Sequence, residues 1–250
     1  MEYRHMSGAG NDFVVMDIRG QAPDLSTLAL ELCAKEKADG LLALDNSTEG
    51  DFRLHYYNAD GTRADLCGNG SRCACRFAYD RGIAQREMQV QTDAGTVYGW
   101  RVTENEYRVK LTAPKEIRLQ RKPGVDYAVC GVPHALVCLP NLSWEDKEQL
   151  RQQAVALRYD PAFPEGANVD FYTWIGDGEV RVLTYERGVE DYTLACGTGC
   201  AALATVLYTA GSLPEGALTA QNPGGTLTVT VTAHGGPVTE VFLQGPAEYL

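Results

Sequence analysis

Apolar and polar positions in this chain follow two periods, and each marks its own elements. Strict alternation through Thr226, Leu227, Thr228, Val229, Thr230, Val231 and Thr232 predicts a strand with one buried face. Residues 97–111 and 180–185 are strand-like runs broken by turn residues, the pattern of antiparallel hairpins. Helical spacing is confined to residues 25–37, 71–81, 144–157 and 200–208, with Gly82 and Gly211 placed as stops. Most of the remainder reads as strand, so the expected class is α+β with antiparallel sheet. Residues 201–207 are apolar nearly all round, which predicts a helix enclosed by a sheet. Strand-rich sequence leading into a helix occurs twice, so two related halves meeting near residues 112–123 are expected.

Composition narrows the class. With 250 residues, 44% of them apolar, and no uninterrupted apolar run long enough to span a bilayer, the chain predicts a globular protein with a substantial core. The opening residues Met1, Glu2, Tyr3, Arg4 and His5 lack a basic stretch leading into an apolar one, so no secretory signal is read and the cytoplasm is the expected compartment. A net charge of −11 without a basic stripe argues against nucleic acid or an anionic membrane as partner. The eight cysteines lie in apolar runs or beside glycines and read as free thiols. Cys33, Cys130 and Cys138 are expected to be inert core thiols, and Cys73, Cys75 and Cys200 to face into apolar helices.

The chemistry concentrates in two matching segments, Cys67-Gly68-Asn69-Gly70 and Cys196-Gly197-Thr198-Gly199, where a cysteine meets a glycine-rich turn that opens a helix. A helix N-terminus favours an anion, so each thiol is expected to ionise below its ordinary value of about 8.5. Two thiols on opposite faces of a carbon acid invert it when a thiolate takes the proton from one side and a thiol delivers one to the other. The backbone N–H groups of Gly68 and Asn69, and of Gly197 and Thr198, are placed to hold the adjacent carboxylate and stabilise its enediolate-like form. Such a reaction needs no cofactor. Zinc is the competitor, but the cysteine spacings contain no Cys-x2-Cys knuckle and the four histidines are scattered, so no metal is expected. Gly8-Ala9-Gly10 lacks the third glycine and the following helix of a dinucleotide site, and nothing in the chain advertises a phosphate cradle for pyridoxal phosphate.

Five motifs, in order and nearly end to end, carry a resemblance: Met6-Ser7-Gly8-Ala9-Gly10-Asn11-Asp12-Phe13, Tyr57-Asn58-Ala59-Asp60-Gly61-Thr62, Cys67-Gly68-Asn69-Gly70, Tyr185-Glu186-Arg187-Gly188 and Thr193-Leu194-Ala195-Cys196-Gly197-Thr198-Gly199. The chain resembles the diaminopimelate epimerases, pyridoxal-independent enzymes of bacterial lysine and cell-wall biosynthesis. The resemblance implies interconversion of LL- and meso-2,6-diaminopimelate, with Cys67 and Cys196 as the acid/base pair and Glu186 and His134 beside them setting which sulfur is protonated. It implies that Asn11, Asn58, Asn168 and Arg187 hold the substrate, chiefly its distal end, with Glu186 also in the binding set. It further implies two pseudo-symmetric lobes, residues 1–113 and 114–239, each an antiparallel sheet wrapped around a central apolar helix. Substrate would lie between them, a last strand within 240–250 would cross back to the first lobe, and the protein would be a homodimer.

One departure bears on substrate. The family often has Gly-Asn-Pro-His where this chain reads Gly131-Val132-Pro133-His134, and valine offers no polar contact to the distal end of the ligand. A lost contact of about 1 to 3 kcal/mol alters specificity without touching the thiol chemistry. The sequence therefore leaves open a racemase of another amino acid, such as histidine, built on the same two cysteines. From a different class it leaves open a non-catalytic thiol or zinc-binding protein.

Overall fold

The computed structural model describes residues 2–65 and 67–250; Met1, named in the sequence reading, and Leu66 lie outside the described residues. Two units emerge, one of residues up to Lys110 together with Gln244–Leu250, the other Leu111–Leu243.

The first unit contains β1 (Tyr3–Ser7), β2 (Asp12–Asp17), α1 (Leu25–Glu36), β3 (Gly40–Asp45), β4 (Phe52–Asn58), β5 (Arg63–Ala64), α2 (Gly68–Asp80), β6 (Glu87–Thr92), β7 (Gly95–Arg101) and most of β8 (Glu106–Leu111). The second contains β9 (Glu116–Lys122), β10 (Val125–Cys130), β11 (Val132–Cys138), a 3₁₀ turn at Trp144–Asp146 running into α3 (Lys147–Arg158), β12 (Asn168–Gly176), β13 (Glu179–Glu186), β14 (Asp191–Tyr192), α4 (Gly197–Thr209), β15 (Ala217–Asn222) and β16 (Gly225–Ala233). The long β17 (Val238–Pro246) leaves this unit, and β18 (Glu248–Tyr249) pairs with β1 of the first.

Pairing is the same in both units. In the first, β18–β1 and β1–β2 are antiparallel, β2–β3 parallel, β3–β4 antiparallel, β4–β6 parallel and β6–β7 antiparallel. In the second, the series β9–β10, β10–β11, β11–β12, β12–β13, β13–β15, β15–β16 repeats those senses in that order. The α+β class stands, but the sheets are mixed rather than antiparallel as the alternation suggested. Every parallel pair is joined through a helix, because a strand that must run in the same direction as its neighbour needs a crossover long enough to return the chain.

Each sheet has one helix on either side. α1 begins where Asp24 accepts the Thr27 N–H at 3.3 Å and ends on Lys37 in the left-handed conformation, and its Ala29 and Cys33 pack on Val14, Met16, Leu41 and Ala43. α3 sets Ala154 and Leu157 against Val169, Phe171, Leu183 and Tyr185 in the same way. α2 and α4 occupy the other faces. From Gly199 to Leu207 every residue of α4 is buried, as its all-round apolarity predicted; Leu203, Val206 and Leu207 each contribute about 2 kcal/mol through burial. Gly82 and Gly211 follow the ends of α2 and α4 with φ of 66° and 76°, the left-handed stop read from the sequence.

Two further expectations are corrected. Cys138 is exposed rather than a core thiol, because it sits at the last position of β11. Both cysteine-led helices start at the first glycine, so the cysteines themselves are N-caps and the glycines lie in the first helical turn, without positive φ.

Candidate active site

In the first unit, Cys67 caps α2 from an extended backbone, φ −134° and ψ 122°, its Sγ accepting the Gly70 N–H at 3.5 Å and its carbonyl accepting the Ser71 N–H at 2.8 Å. Asn11 immediately precedes β2, with Oδ1 3.7 Å from the Cys67 sulfur. The orientation of Asn11 is set from behind. Its Nδ2 donates to Asp39 Oδ2 at 2.5 Å, and the same carboxylate accepts the Asp12 N–H at 2.9 Å, which turns the amide oxygen toward the thiol. The turn before Asn11 presses against the first turn of α2, since a Cβ on Gly8 would come within 2.9 Å of Asn69 O and 3.2 Å of Cys73 Sγ. Asn69 is buried, 3% exposed, and accepts from Arg72 Nη1 at 3.1 Å. Arg72 is fully buried in α2 and also donates to Gly68 O at 3.4 Å and Pro246 O at 3.3 Å. Asn58 ends β4 and is occupied locally, its Nδ2 on Thr62 Oγ1 at 3.0 Å and its N–H on Thr62 O at 2.8 Å.

The second unit gathers the rest of the set. Cys196 caps α4, 6% exposed, with its Sγ 3.4 Å from Thr198 Oγ1. Thr198 Oγ1 lies 3.1 Å from His134 Nε2, and His134 Nδ1 lies 2.7 Å from Asp170 Oδ2. Asp170 Oδ1 in turn accepts the Thr184 hydroxyl at 2.8 Å. His134 and Asp170 are wholly buried. Glu186, the last residue of β13, accepts the Thr193 hydroxyl at 2.6 Å. Asn168, beside His134 in the parallel β11–β12 pair, accepts the Arg187 N–H at 2.8 Å, and Arg187 Nη1 donates to the Glu165 carbonyl at 2.6 Å.

Electrostatics overturns the expectation of a readily ionised thiol at Cys196. Burial pushes this thiol well above the usual cysteine range, and the carboxylates of Glu186 and Asp170 push in the same direction, against weaker help for the thiolate from the Thr198 hydroxyl and the Gly199 N–H. Glu186 is itself raised above the ordinary carboxylate range by burial, opposed by its hydrogen bonds to Thr193 and Cys196. The helix N-terminus is present, but removal from water outweighs it.

The glycines matter for closeness of packing. A Cβ on Gly70 would meet Leu42 Cδ2 at 3.1 Å and Phe13 Cζ at 3.3 Å; one on Gly199 would fall within hard overlap of Asp170 Oδ1 and 3.1 Å from its Cγ. The pairing registers make these contacts equivalent. Phe13 faces Gly40 as His134 faces Asn168, and Leu42 faces Tyr56 as Asp170 faces Thr184. In the same frame Asn11 corresponds to Val132. Sequence reasoning missed Asp39, Asp170, Thr184 and Thr193. The available signal was Asp170 itself, a carboxylate set among Val169, Phe171 and Tyr172 in a strand buried on both faces. Among the described residues no three His, Cys, Asp or Glu side chains converge as metal ligands, and no helix is long and apolar enough to cross a membrane.

Comparison with known proteins places these features in context. A family model described as diaminopimelate epimerase matches residues 3–115 and 127–250. The chain is 36% identical to the diaminopimelate epimerase of Aquifex aeolicus over 271 residues, covering 98% of this chain and 94% of that one, and 35% identical to that of Chlorobaculum tepidum over 253 residues, covering 97% and 96%. Among solved structures, a PhzF-family phenazine biosynthesis protein of Bacillus anthracis superposes with a TM-score of 0.78 at 14% identity, covering 100% of this chain and 98% of that one. A hydroxyproline epimerase of Agrobacterium vitis superposes with a TM-score of 0.69 at 17% identity, covering 99% and 88%. At these identities the likeness is one of fold.

Proposed function

The chain belongs to the diaminopimelate epimerase family, and from that premise we propose that it interconverts LL- and meso-2,6-diaminopimelate without a cofactor, using Cys67 and Cys196 as its two acid/base groups. The observation that carries this reading is the doubling of one device: at the same place in two identical strand series, a cysteine caps a buried helix and a second glycine lets that helix sit tightly on the strands beneath.

The chemistry follows from the two environments. Inversion needs a base on one face of the α-carbon and an acid on the other. Cys196, held protonated by burial and by Glu186 and Asp170, begins as the donor, which leaves the acceptor's role to Cys67. The carbanion's charge spreads into the adjacent carboxylate, where N–H groups of the first turns, at Gly68 and Asn69 and at Gly197 and Thr198, stabilise it through oriented dipoles. After one turnover the proton has changed sulfurs, and the reverse reaction starts from that state. Asn11, Asn58, Asn168 and Arg187 form the substrate-holding set in this reading, with His134 and Glu186 governing the protonation of Cys196. Action in the cytoplasm and as a homodimer belongs to the same proposal, and sedimentation of the purified chain tests the latter.

A second reading, a racemase of another amino acid, is favoured at one point only: Val132 stands where the first unit has Asn11, and its side chain offers no hydrogen bond. Proton NMR in deuterated water separates the two. Deuterium entering the α-carbon of LL-diaminopimelate with formation of the meso isomer is the expected result; exchange confined to L-histidine or another L-amino acid transfers the mechanism to that substrate, and no exchange anywhere overturns both.

A further inference from the structure

In the second unit, Thr184, Asp170, His134, Thr198 and Cys196 form an unbroken line of hydrogen-bond distances: 2.8, 2.7, 3.1 and 3.4 Å. We infer that Asp170 is a positioning residue for catalysis, fixing the proton of His134 on Nδ1 so that Nε2 orders the Thr198 hydroxyl and, through it, the S–H of Cys196. The inference rests on the functional reading above but concerns a residue that reading does not use.

Donor and acceptor capacities leave one consistent arrangement for a neutral imidazole. An ionised carboxylate only accepts, so Asp170 Oδ2 takes the His134 Nδ1–H and Oδ1 takes the Thr184 O–H. His134 Nε2 is then an acceptor and the Thr198 hydroxyl donates to it, which withholds the help that this hydroxyl would give a Cys196 thiolate; a lone pair of Thr198 Oγ1 faces Cys196 and shares its single S–H with the Glu186 carboxyl. The line thus keeps the thiol's proton pointed along a defined direction until substrate takes it.

The internal repeat argues that this line is not demanded by the fold. At the equivalent places the first unit carries Phe13 and Leu42, an apolar pair filling the same space below Gly70. A buried imidazole–carboxylate pair with a supporting hydroxyl costs more desolvation than such a pair of hydrocarbons and stabilises no better. The fit is also tight: Gly199 lacks a Cβ where Asp170 Oδ1 approaches, so the carboxylate cannot shift toward the helix.

Asp170→Asn is the test. With Thr184 still donating to the amide oxygen, the replacement NH₂ faces His134 and the imidazole proton moves to Nε2; an amide flipped to donate to Thr184 Oγ1 leaves it on Nδ1, and the nitrogen-15 spectrum of His134 tells the two apart. Nε2–H then donates to Thr198, whose hydroxyl proton points at the Cys196 sulfur and favours thiolate. The expected outcome is an epimerase with kcat lower by about 100-fold and KM within about 3-fold. Its Cys196 is expected to alkylate with iodoacetamide about 10-fold faster at neutral pH while the buried Cys73, Cys75 and Cys200 stay as slow as in the wild type, a selectivity that loss of fold, which exposes all four, does not produce. Nitrogen-15 NMR of His134, assigned by its absence in His134→Asn, reads the proton on Nδ1 in the wild type and on Nε2 in the variant. Wild-type kcat and unchanged alkylation in an Asp170→Asn variant whose His134 carries its proton on Nε2 overturn the inference, as does a wild-type His134 protonated on Nε2 alone, a measurement that requires no variant to fold. A wild type that fails to epimerise diaminopimelate defeats the functional reading instead, while the tautomer and alkylation results still judge the role of Asp170.

Discussion

The two helix N-termini that carry Cys67 and Cys196 share a topology and differ in nearly every side chain around the sulfur. Beneath α2 lie Phe13 and Leu42, a guanidinium is buried within the helix at Arg72, and Cys67 is half-buried against the Asn11 amide. Beneath α4 lie His134 and Asp170, Ala201 takes the place of Arg72, and Glu186 stands where the first unit has Asn58. One site is built on hydrocarbon with a cation, the other on buried carboxylates. A repeated backbone therefore supplies two helix N-termini of the same form, and the side chains beneath decide how tightly each sulfur holds its proton. For a reaction that needs an acid and a base at once, this asymmetry is the useful property.

The comparison breaks first if one thiol is dispensable. Cys67→Ala and Cys196→Ala are each expected to lower formation of meso-diaminopimelate by at least about 1,000-fold, since each removes one of two obligatory proton-transfer groups. Near-normal turnover in either variant would end the two-thiol account. Next in size is the pair of glycine substitutions. Gly199→Ala drives a methyl into Asp170 and is expected to cost about 2 to 3 kcal/mol in urea unfolding, whereas Gly70→Ala meets the movable ends of Leu42 and Phe13 and is expected to stay within about 1 kcal/mol. Equal costs would mean that Asp170 yields as easily as leucine.

Thiol labelling sharpens the contrast further. With iodoacetamide near neutral pH, Cys138 and Cys67 are expected to react first and Cys196 at least about tenfold more slowly, followed by mass spectrometry of the peptides. Fast modification of Cys196 would show that its carboxylate neighbours do not hold the proton. The smallest effect concerns Glu186. Its folded value lies above the unfolded one, so the native state retains a proton that the unfolded chain has lost, and stability falls as pH rises through that interval. Glu186→Gln removes the penalty, so the variant's thermal midpoint should exceed the wild type's by more at pH 8 than at pH 4. A difference that is constant with pH would place the carboxyl outside the buried environment.

Much of this was legible in the residues, for identifiable reasons. The four helices, the enclosure of α4 and the alternating β16 were readable because local periodicity records burial directly. Strand direction is not recorded there, so β2 and β3 read as strands while their parallel pairing was missed, although the helix between them was in view. The glycines after each cysteine were found but read as a turn, because sequence alone cannot separate a glycine needed for backbone conformation from one needed for close approach. Asp170 went unnoticed for a similar reason. Its meaning depends on His134 and Thr184, which lie on two neighbouring strands, and on a gap at Gly199 that exists only once the helix has docked.

The return of the chain at β17 makes the two halves unequal in folding. The second unit is continuous from Leu111 to Leu243 and holds all of its own strands by the time Leu243 is made. The first unit, although begun first, is incomplete without Gln244–Leu250: Pro246 O receives Arg72, Ala247 O receives Arg76, the Ala247 N–H reaches Asn105 O, and the Leu250 N–H reaches His5 O. Without those residues the later half is able to close while the earlier half waits with its buried arginine uncovered. A released chain truncated after Leu243 is the form in which that order would be caught, with the Cys196 helix protected from protease and the Cys67 helix not.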